Sequence, residues 1–506
     1  MNREMPLTLG ALLAGLVDTP VAVANLPITG LALESDAVRP GDLFFALRGG
    51  RRHGLEFLVA VQAAGAQAVV WEPPWPAPLP TESGLPLLVA PDLRVALGKI
   101  ASRFYGQPSR RLSLVGVTGT DGKTSCVHFI AQALSAAAGP CGILGTLGVG
   151  VHGVTEASLH TTPDPLRVQR WLAQLAVDGR RYAAMEVSSH ALDQGRVSGV
   201  AFTVAVLTQL SRDHLDYHGT AEAYAAAKRR LFFEYQPDWT VLNLDDTFGR
   251  QIAAEQNGNA RMIAYGLGPR PESLERFVWG EALALSRAGL RLRIRSSWGE
   301  GELRAGLLGR FNAHNLLAAL ATLLALELPL HEVLDLLART APVTGRMERL
   351  EGGAGQPLVV IDYAHTPHAL EQALRALREH GAGCLWCVFG CGGDRDPGKR
   401  PLMGGIAEAW ADQVIVTDDN PRTENPQNIV TAILAGMRQP QRAMVIRDRR
   451  AAIVRALTVA GSRDMVLIAG KGHEDYQIIG AERLPFSDHA VVREHWSSHP
   501  QTEAVE

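Results

Sequence analysis

The chain has 506 residues, 46% of them hydrophobic and 20% charged, with 51 glycines and 29 prolines. That is the composition of a turn-rich globular α/β protein, too long for one core and expected to fold as roughly three domains. A net charge of −3 with both signs interspersed excludes the basic footprint of a nucleic-acid binder, and no apolar run reaches the ~18 residues of a membrane-spanning helix.

The first residues, MNREMPLTLGALLAGL, carry an early Glu4 and no small-residue cleavage site, and the five cysteines are an odd number in a long chain. Both features lead us to expect a cytoplasmic protein without a disulfide framework. Up to about Ser102, short apolar runs such as GDLFFAL and AQAVVWE alternate with turns, which predicts a small α/β recognition domain without a phosphate loop.

From Leu112 to Leu134 the pattern is strand, glycine loop, helix. Leu112, Leu114, Val115 and Val117 form an apolar run, and Val127, Ile130, Ala131 and Leu134 recur with the spacing of one helix face. Gly119 and Gly122 let the intervening backbone turn its N–H groups toward phosphate oxygens. Lys123 can reach the terminal phosphates, and the Thr124 hydroxyl can ligate Mg²⁺. The general phosphate-loop pattern would place glycine where this chain has Val117, so the loop is a shortened variant. The competing reading is a glycine turn beside a surface lysine.

Further strands are predicted at YAAMEVSS, FTVAVLTQL and WTVLNL, separated by helical stretches as in a parallel sheet with crossover helices. After Pro342 a second, Rossmann-like set begins at PLVVIDYA and continues through CLWCVFG, ADQVIVTDD and DMVLIAGKG. Cys384, Cys387 and Cys391 are spaced closely enough for a metal site, but no fourth ligand lies nearby, and the alternative is buried thiols on a strand. Glu186, Asp213, Asp362, Asp394, Asp419 and Glu474 each finish or follow an apolar run. In open α/β sheets that is where ligands bind, so a shared cleft is expected, with helix capping as the alternative for any one of them.

Taken in order, GTDGKTS from Gly119, TTPDPL from Thr161, MEVSSHALDQGRV from Met185, LSRDHLDYHG from Leu210, YAAAKRRLF from Tyr224, GRFNAHNLLAALA from Gly309, GRMERL from Gly345 and DYAHTP from Asp362 resemble the signatures of the Mur ligase family. These ATP-dependent enzymes add amino acids to the peptidoglycan precursor UDP-N-acetylmuramic acid. The resemblance covers nearly the whole chain and implies three α/β domains. Residues 1–102 would bind the UDP-sugar, residues 103–341 would form a central P-loop ATPase domain with a mainly parallel sheet, and residues 342–506 would form a Rossmann-like domain for the incoming amino acid. The DNPR sequence at Asp419, Asn420, Pro421 and Arg422 is similar to that of members that add meso-2,6-diaminopimelate, rather than L-lysine, to UDP-N-acetylmuramoyl-L-alanyl-D-glutamate. A guanidinium forks onto the second carboxylate that lysine lacks.

The resemblance also implies roles for particular residues. ATP would lie on Gly119, Thr120, Asp121, Gly122, Lys123, Thr124 and Ser125, with Asn312 and Arg346 from later motifs. Thr124, Glu186, His214 and Lys228, the last as a carbamate formed with CO₂, would hold Mg²⁺. Leu33, Ser35, Gly50, Arg51, Arg52, His160, Thr161, Thr162, Ser188, Gln194 and Arg196 would hold the UDP-sugar dipeptide. Arg395, Asp419, Asn420, Pro421, Arg422, Gly470 and Glu474 would hold diaminopimelate. Asp362, His365 and Asn315 would serve the nucleotide or a hinge, and the domains would close over ATP to exclude water. Some positions depart from the family pattern: LESDAV, with Glu34 and Asp36, replaces LDSR, while Asp121, His160 and Gln209 each stand where asparagine is usual.

The expected protein is therefore a monomeric ligase with small-molecule partners and no nucleic-acid or membrane partner. The competing enzyme readings are an L-lysine-adding ligase of the same step, whose site should lack an arginine at position 422, and a folylpolyglutamate-synthase-like ligase, which leaves DNPR unexplained. The competing non-enzymatic reading is a nucleotide sensor, in which Lys123, Glu186 or Lys228 would be expected to have decayed.

Overall fold

The computed structural model describes residues 7–498 other than 51, 76–83, 257, 259–260, 354 and 382. The chain divides into two compact units, Met1–Val278 with Ala318–Pro329, and Trp279–Leu317 with Leu330–Glu506.

The first unit contains two parallel sheets. The smaller pairs Gly30–Ala32, Asp42–Ala46, Ala68–Trp71 and Leu87–Val89 in that order. Alternation along Asp42–Ala46 splits its side chains between two cores. Leu43 and Phe45 join Leu9, Leu12, Leu97 and Ile100, whereas Phe44 and Ala46 join Leu58, Val61 and Trp71. Helix Leu93–Phe104 carries this sheet against the rest of the unit at Gly98, where a Cβ would sit 2.2 Å from the Ser198 carbonyl oxygen. Only glycine permits that approach, and Ser198 Oγ secures it by donating to Val95 O at 2.7 Å.

In the larger sheet of this unit, Gly142–Gly145, Tyr182–Glu186, Ser113–Thr118, Val204–Leu207, Trp239–Asn243 and Met262–Gly266 lie side by side and parallel. The predicted strands at YAAMEVSS, FTVAVLTQL and WTVLNL are present, and their buried runs follow from helices covering both faces. Ser113–Thr118 has later strands on both sides, so chain order reverses there and its carboxyl end opens into a crevice. Two antiparallel strands that sequence reading missed, Gly148–Val151 and Val154–Glu156, extend one edge.

The second unit holds a sheet in the order Glu348–Leu350, Leu358–Asp362, Met465–Ala469, Leu385–Phe389, Gln413–Val416 and Met444–Val445, parallel after its first strand. Val360, Cys387 and Phe389 face one core, and Val359, Ile361, Trp386 and Val388 face the other. Cys387 is thus a buried strand residue, and the Cys391 Sγ lies 3.7 Å from the Met403 Sδ. An antiparallel pair, Gly289–Ser296 with Gly299–Ala305, and a hairpin, Tyr476–Ile479 with Glu482–Pro485, were also not anticipated. Among the described residues no helix is long and apolar enough to cross a membrane.

Helix Arg449–Val459 is tied to helix Asp488–Ser498 by a fully buried ion pair, in which Arg449 Nε and Nη2 each donate at 2.7 Å to the two oxygens of Asp488. Removing the arginine would leave a carboxylate buried without a partner. Arg449→Met is expected to lower stability by about 3–5 kcal/mol, measured as a shift in the denaturant midpoint of the second unit's unfolding.

Candidate active site

Strand Ser113–Thr118 ends in Gly119 at φ 145°, where a Cβ would lie 1.8 Å from Thr208 Oγ1. The loop is pinned from the neighbouring strand's end, with Thr208 Oγ1 donating to Asp121 O at 2.6 Å and Thr120 N donating to Gln209 O at 2.7 Å. Gly122, at φ 83°, then starts helix Lys123–Ala138, so the loop's backbone N–H groups gather at a helix N-terminus suited to an anion. Lys123 Nζ donates to Gly119 O at 3.0 Å and to Thr120 O at 2.7 Å.

A second lysine shares that carbonyl. Lys228, on helix Ala221–Phe233, is 1% exposed and its Nζ donates to Gly119 O at 2.7 Å. Its ammonium stands 4.6 Å from the ring centroid of Tyr224, one helical turn earlier. Burial, and then the charge of Lys123, hold the Lys228 amine well below the usual lysine range. Burial also pushes the Tyr224 phenol up to about 12, and its hydroxyl pairs with Thr120 Oγ1 at 3.0 Å.

Glu186 closes strand Tyr182–Glu186 and is 1% exposed. Its Oε1 accepts from Thr124 Oγ1 at 3.0 Å and from Thr146 N at 2.8 Å, and its Oε2 from Thr146 Oγ1 at 3.3 Å. Gly145 leaves the space it occupies, since a Cβ there would lie 2.3 Å from Oε1. The chain of contacts continues through Thr146 Oγ1 to Thr161 Oγ1 at 3.1 Å, and Thr162 Oγ1 donates to Glu186 O at 2.8 Å. Ser188 caps the next short helix, Ser189–Asp193. Arg196 donates to Thr162 O at 2.7 Å and, through Nε and Nη2, to Gln194 Oε1 at 3.0 and 2.7 Å. The structure therefore brings Thr161, Thr162, Ser188, Gln194 and Arg196 together around Glu186.

His214 has left-handed backbone, φ 51°, and its ring lies 4.9 Å from that of His190 and 6.1 Å from that of Tyr224. Burial lowers the His190 imidazole, reinforced by His214 and His218. His160 is exposed, and its carbonyl accepts from Ser158 Oγ. Leu33 and Ser35 follow strand Gly30–Ala32 directly, Gly50 is exposed, and Arg52 is paired with Glu56 at 2.8 Å; Arg51 lies outside the described residues.

In the second unit, Asn312 and Asn315 are buried on helix Arg310–Ala325 and bonded to each other at 3.0 Å. Arg346 stacks over Tyr363 at 5.1 Å with its Nε buried and without a hydrogen-bond partner. Burial raises the Asp362 carboxyl, opposed by Arg346, and Asp362 Oδ2 accepts from Met347 N at 2.6 Å. His365 Nδ1 meets Tyr363 O at 2.9 Å.

The DNPR segment is fastened to two other loops. Gly393 N donates to Asn420 O at 2.9 Å, Asp394 Oδ2 accepts from Thr423 N and Oγ1, and Arg400 forks onto Glu424 with two bonds of 2.7 Å. Arg422 has φ 52°, its N–H donates to Ile478 O, and its carbonyl accepts from Gly480 N, which clips the hairpin to the loop. Its guanidinium donates to Gly393 O at 2.8 Å, and Arg395 is exposed on the same loop system. Pro421 and Asp419 are buried, Gly470 has φ 115°, and a Cβ at Gly470 would lie 2.6 Å from Asp419 Oδ2. Glu474 Oε2 accepts from Asn420 Nδ2 at 3.1 Å and from Lys471 Nζ at 3.0 Å.

Sequence reading missed several of these groups. Thr146 carries no motif signal, whereas Tyr224 lies four residues before Lys228 and could have been found from helical spacing. Lys471 lies inside the DMVLIAGKG segment, beside Gly470, with nothing in its type to mark it out. The two departures at Asp121 and Gln209 prove to be contacts of each other, with Gln209 Nε2 donating to Asp121 Oδ2 at 2.9 Å.

The Mur ligase family catalytic domain matches residues 27–105, the Mur ligase middle domain residues 117–323, and the Mur ligase glutamate ligase domain residues 345–472. A UDP-N-acetylmuramoyl-L-alanyl-D-glutamate–2,6-diaminopimelate ligase of Alkalilimnicola ehrlichii is 52% identical over 92% of this chain and 94% of its own. That of Pseudomonas aeruginosa is 50% identical over 96% and 97%. A solved structure of a ligase of the same name superposes with a TM-score of 0.75 at 36% identity, covering 98% of this chain and all of that one. Folylpolyglutamate synthase of Mycobacterium tuberculosis, at 20% identity and a TM-score of 0.57 over 74% of this chain and 92% of its own, shares the fold. With three consecutive family domains and relatives at half identity over almost its full length, the chain belongs to the Mur ligase family.

Proposed function

We propose that this protein joins meso-2,6-diaminopimelate to UDP-N-acetylmuramoyl-L-alanyl-D-glutamate in an ATP-dependent amide ligation, a cytoplasmic step of peptidoglycan precursor synthesis. The observation that carries the reading is the constellation around Arg422. A guanidinium held by Gly393 O stands in one loop system with a buried Asn420 and an acidic Glu474, so donors for a carboxylate adjoin an acceptor for an ammonium. The names of the relatives support the same substrates. On this reading residues 1–102, with Leu33, Ser35, Gly50, Arg51 and Arg52, bind the UDP-sugar. Residues 103–341 bind ATP and the dipeptide end, and residues 342–506 bind the amino acid.

A carboxylate is a poor electrophile, so amide formation at neutral pH needs an activated acyl group. The D-glutamate γ-carboxylate attacks the γ-phosphorus of ATP and displaces ADP. The diaminopimelate amine then attacks the acyl phosphate carbonyl, and phosphate leaves. The protein's contribution is alignment and relief of repulsion between anions. Gly119 to Ser125 cradle the phosphates at the helix N-terminus and Lys123 supplies a movable cation, with Asn312 and Arg346 assigned to the nucleotide. Arg196, aligned by Gln194 and Thr162, meets the anionic dipeptide, with His160, Thr161 and Ser188 beside it.

Mg²⁺ fits the first unit, because Glu186 and the Thr124 hydroxyl supply hard oxygen ligands 3.0 Å apart. His214 and a carbamylated Lys228 complete the proposed set. When bound, the ion neutralises charge on the transferring phosphoryl group. Carbamylation needs a neutral amine, and the lowered Lys228 pKa supplies one nearer neutrality than a surface lysine would.

Purified protein with Mg-ATP and the UDP-dipeptide is expected to release ADP when meso-diaminopimelate is added and not when L-lysine is; lysine dependence would overturn the assigned specificity. Arg422→Ala should raise KM for diaminopimelate by about 10–100-fold, the worth of a charged hydrogen-bonded pair, with KM for ATP little changed. Equal losses for both substrates would remove the role given to Arg422. Because carbamate forms from free amine, turnover at fixed CO₂ should rise with pH through the lowered Lys228 pKa. Lys228→Arg, permanently charged, should lose at least about 100-fold in kcat; rate assays with and without added bicarbonate check both.

A further inference from the structure

Lys471 has no part in the reaction described above, yet its side chain is wholly buried. An ammonium carries three donors and no acceptor, so burial demands partners. Its Nζ donates to Glu474 Oε2 at 3.0 Å and to Asn420 Oδ1 at 3.2 Å, and it stands 5.3 Å from the ring centroid of Tyr476.

The consequence falls on Asn420, itself 3% exposed. A side-chain amide can face either way, and only its neighbours decide which end is oxygen. Here every neighbour has unambiguous polarity. Oδ1 accepts from the Lys471 ammonium and from the Ile478 backbone N–H at 2.9 Å, while Nδ2 donates to the Glu474 carboxylate at 3.1 Å. A flipped amide would set its NH₂ against two donors and its oxygen against a carboxylate. With both Oδ1 lone pairs occupied, the amide has one N–H left to offer.

We propose that Lys471 is a positioning residue for amino-acid selection: its ammonium, bridging Asn420 and Glu474, fixes the Asn420 amide so that it presents a donor to the carboxylate of the incoming amino acid. The same bridge holds Glu474, acceptor-only, for the adjoining ammonium. The two oppositely polarised groups are thereby sorted into the order of a zwitterion. A lysine side-chain terminus, with an ammonium and no carboxylate, satisfies only half of the pair. This inference rests on the reading that the second unit binds diaminopimelate.

Lys471→Met keeps the length and apolar stem and removes the donor. It is expected to raise KM for meso-diaminopimelate at least tenfold, to leave KM for ATP and for the UDP-dipeptide within twofold, and to reduce the kcat/KM preference for diaminopimelate over L-lysine by a similar factor. Lys471→Gln, which restores an N–H donor without the charge, should recover part of the loss, and it serves as the test variant if Lys471→Met does not fold by circular dichroism. A KM for diaminopimelate within twofold of wild type in both variants would overturn the proposal, as would an equal rise for all three substrates. A wild-type protein without diaminopimelate-dependent ADP release would instead overturn the functional reading on which it stands.

Discussion

Two amines converge on one carbonyl oxygen. Lys123 and Lys228 both donate to Gly119 O, at 3.0 and 2.7 Å, and their separation cannot exceed the sum of those bonds. Two full charges that close repel by on the order of 3 kcal/mol at an effective dielectric of ~20. The loop therefore sets two amines against each other, and burial together with the Lys123 charge holds the Lys228 amine well below the usual lysine range. Tyr224 encloses it, and Tyr224 is in turn held by Thr120 of the same loop. Loop conformation, lysine burial and lysine charge form one coupled arrangement.

A shared device appears in both units. Glycine faces a buried carboxylate where a strand ends: Gly145 opposite Glu186, and Gly470 opposite Asp419. In each case a methyl group would occupy the carboxylate's place, so the missing side chain makes room for the acid as much as it frees the backbone. The parallel sheets bring such positions to one edge, and the neighbouring loops lock them, through Thr146 in one unit and through the hairpin clipped at Arg422 in the other.

Most of the scaffold was legible because parallel strands covered on both faces read as unbroken apolar runs. The antiparallel additions were not. Gly148–Val151 is too short and glycine-rich to signal a strand, while Gly289–Ser296 alternates buried and exposed residues, the period-two pattern of a half-buried strand. Motif order singled out Gly119, Glu186 and Asn420 as candidates, but not the contacts that surround them. Lys228 in KRR looks like a solvated cation, and only the packing of Tyr224 and the loop's return past it make it a buried amine. Thr146 and Lys471 belong to networks whose members are distant in sequence, so neither announces itself.

Asp121 and Gln209 each depart from the family's asparagine, and in space they are one departure, with the longer amide reaching the carboxylate. The two side chains thus form one structural unit in this chain. Exchanging Asp121 alone for asparagine would leave Gln209 facing an uncharged amide, and exchanging Gln209 alone would leave the carboxylate out of reach of the shorter side chain. One contact thus joins two loops 88 residues apart in the chain, and a change at either residue alters both.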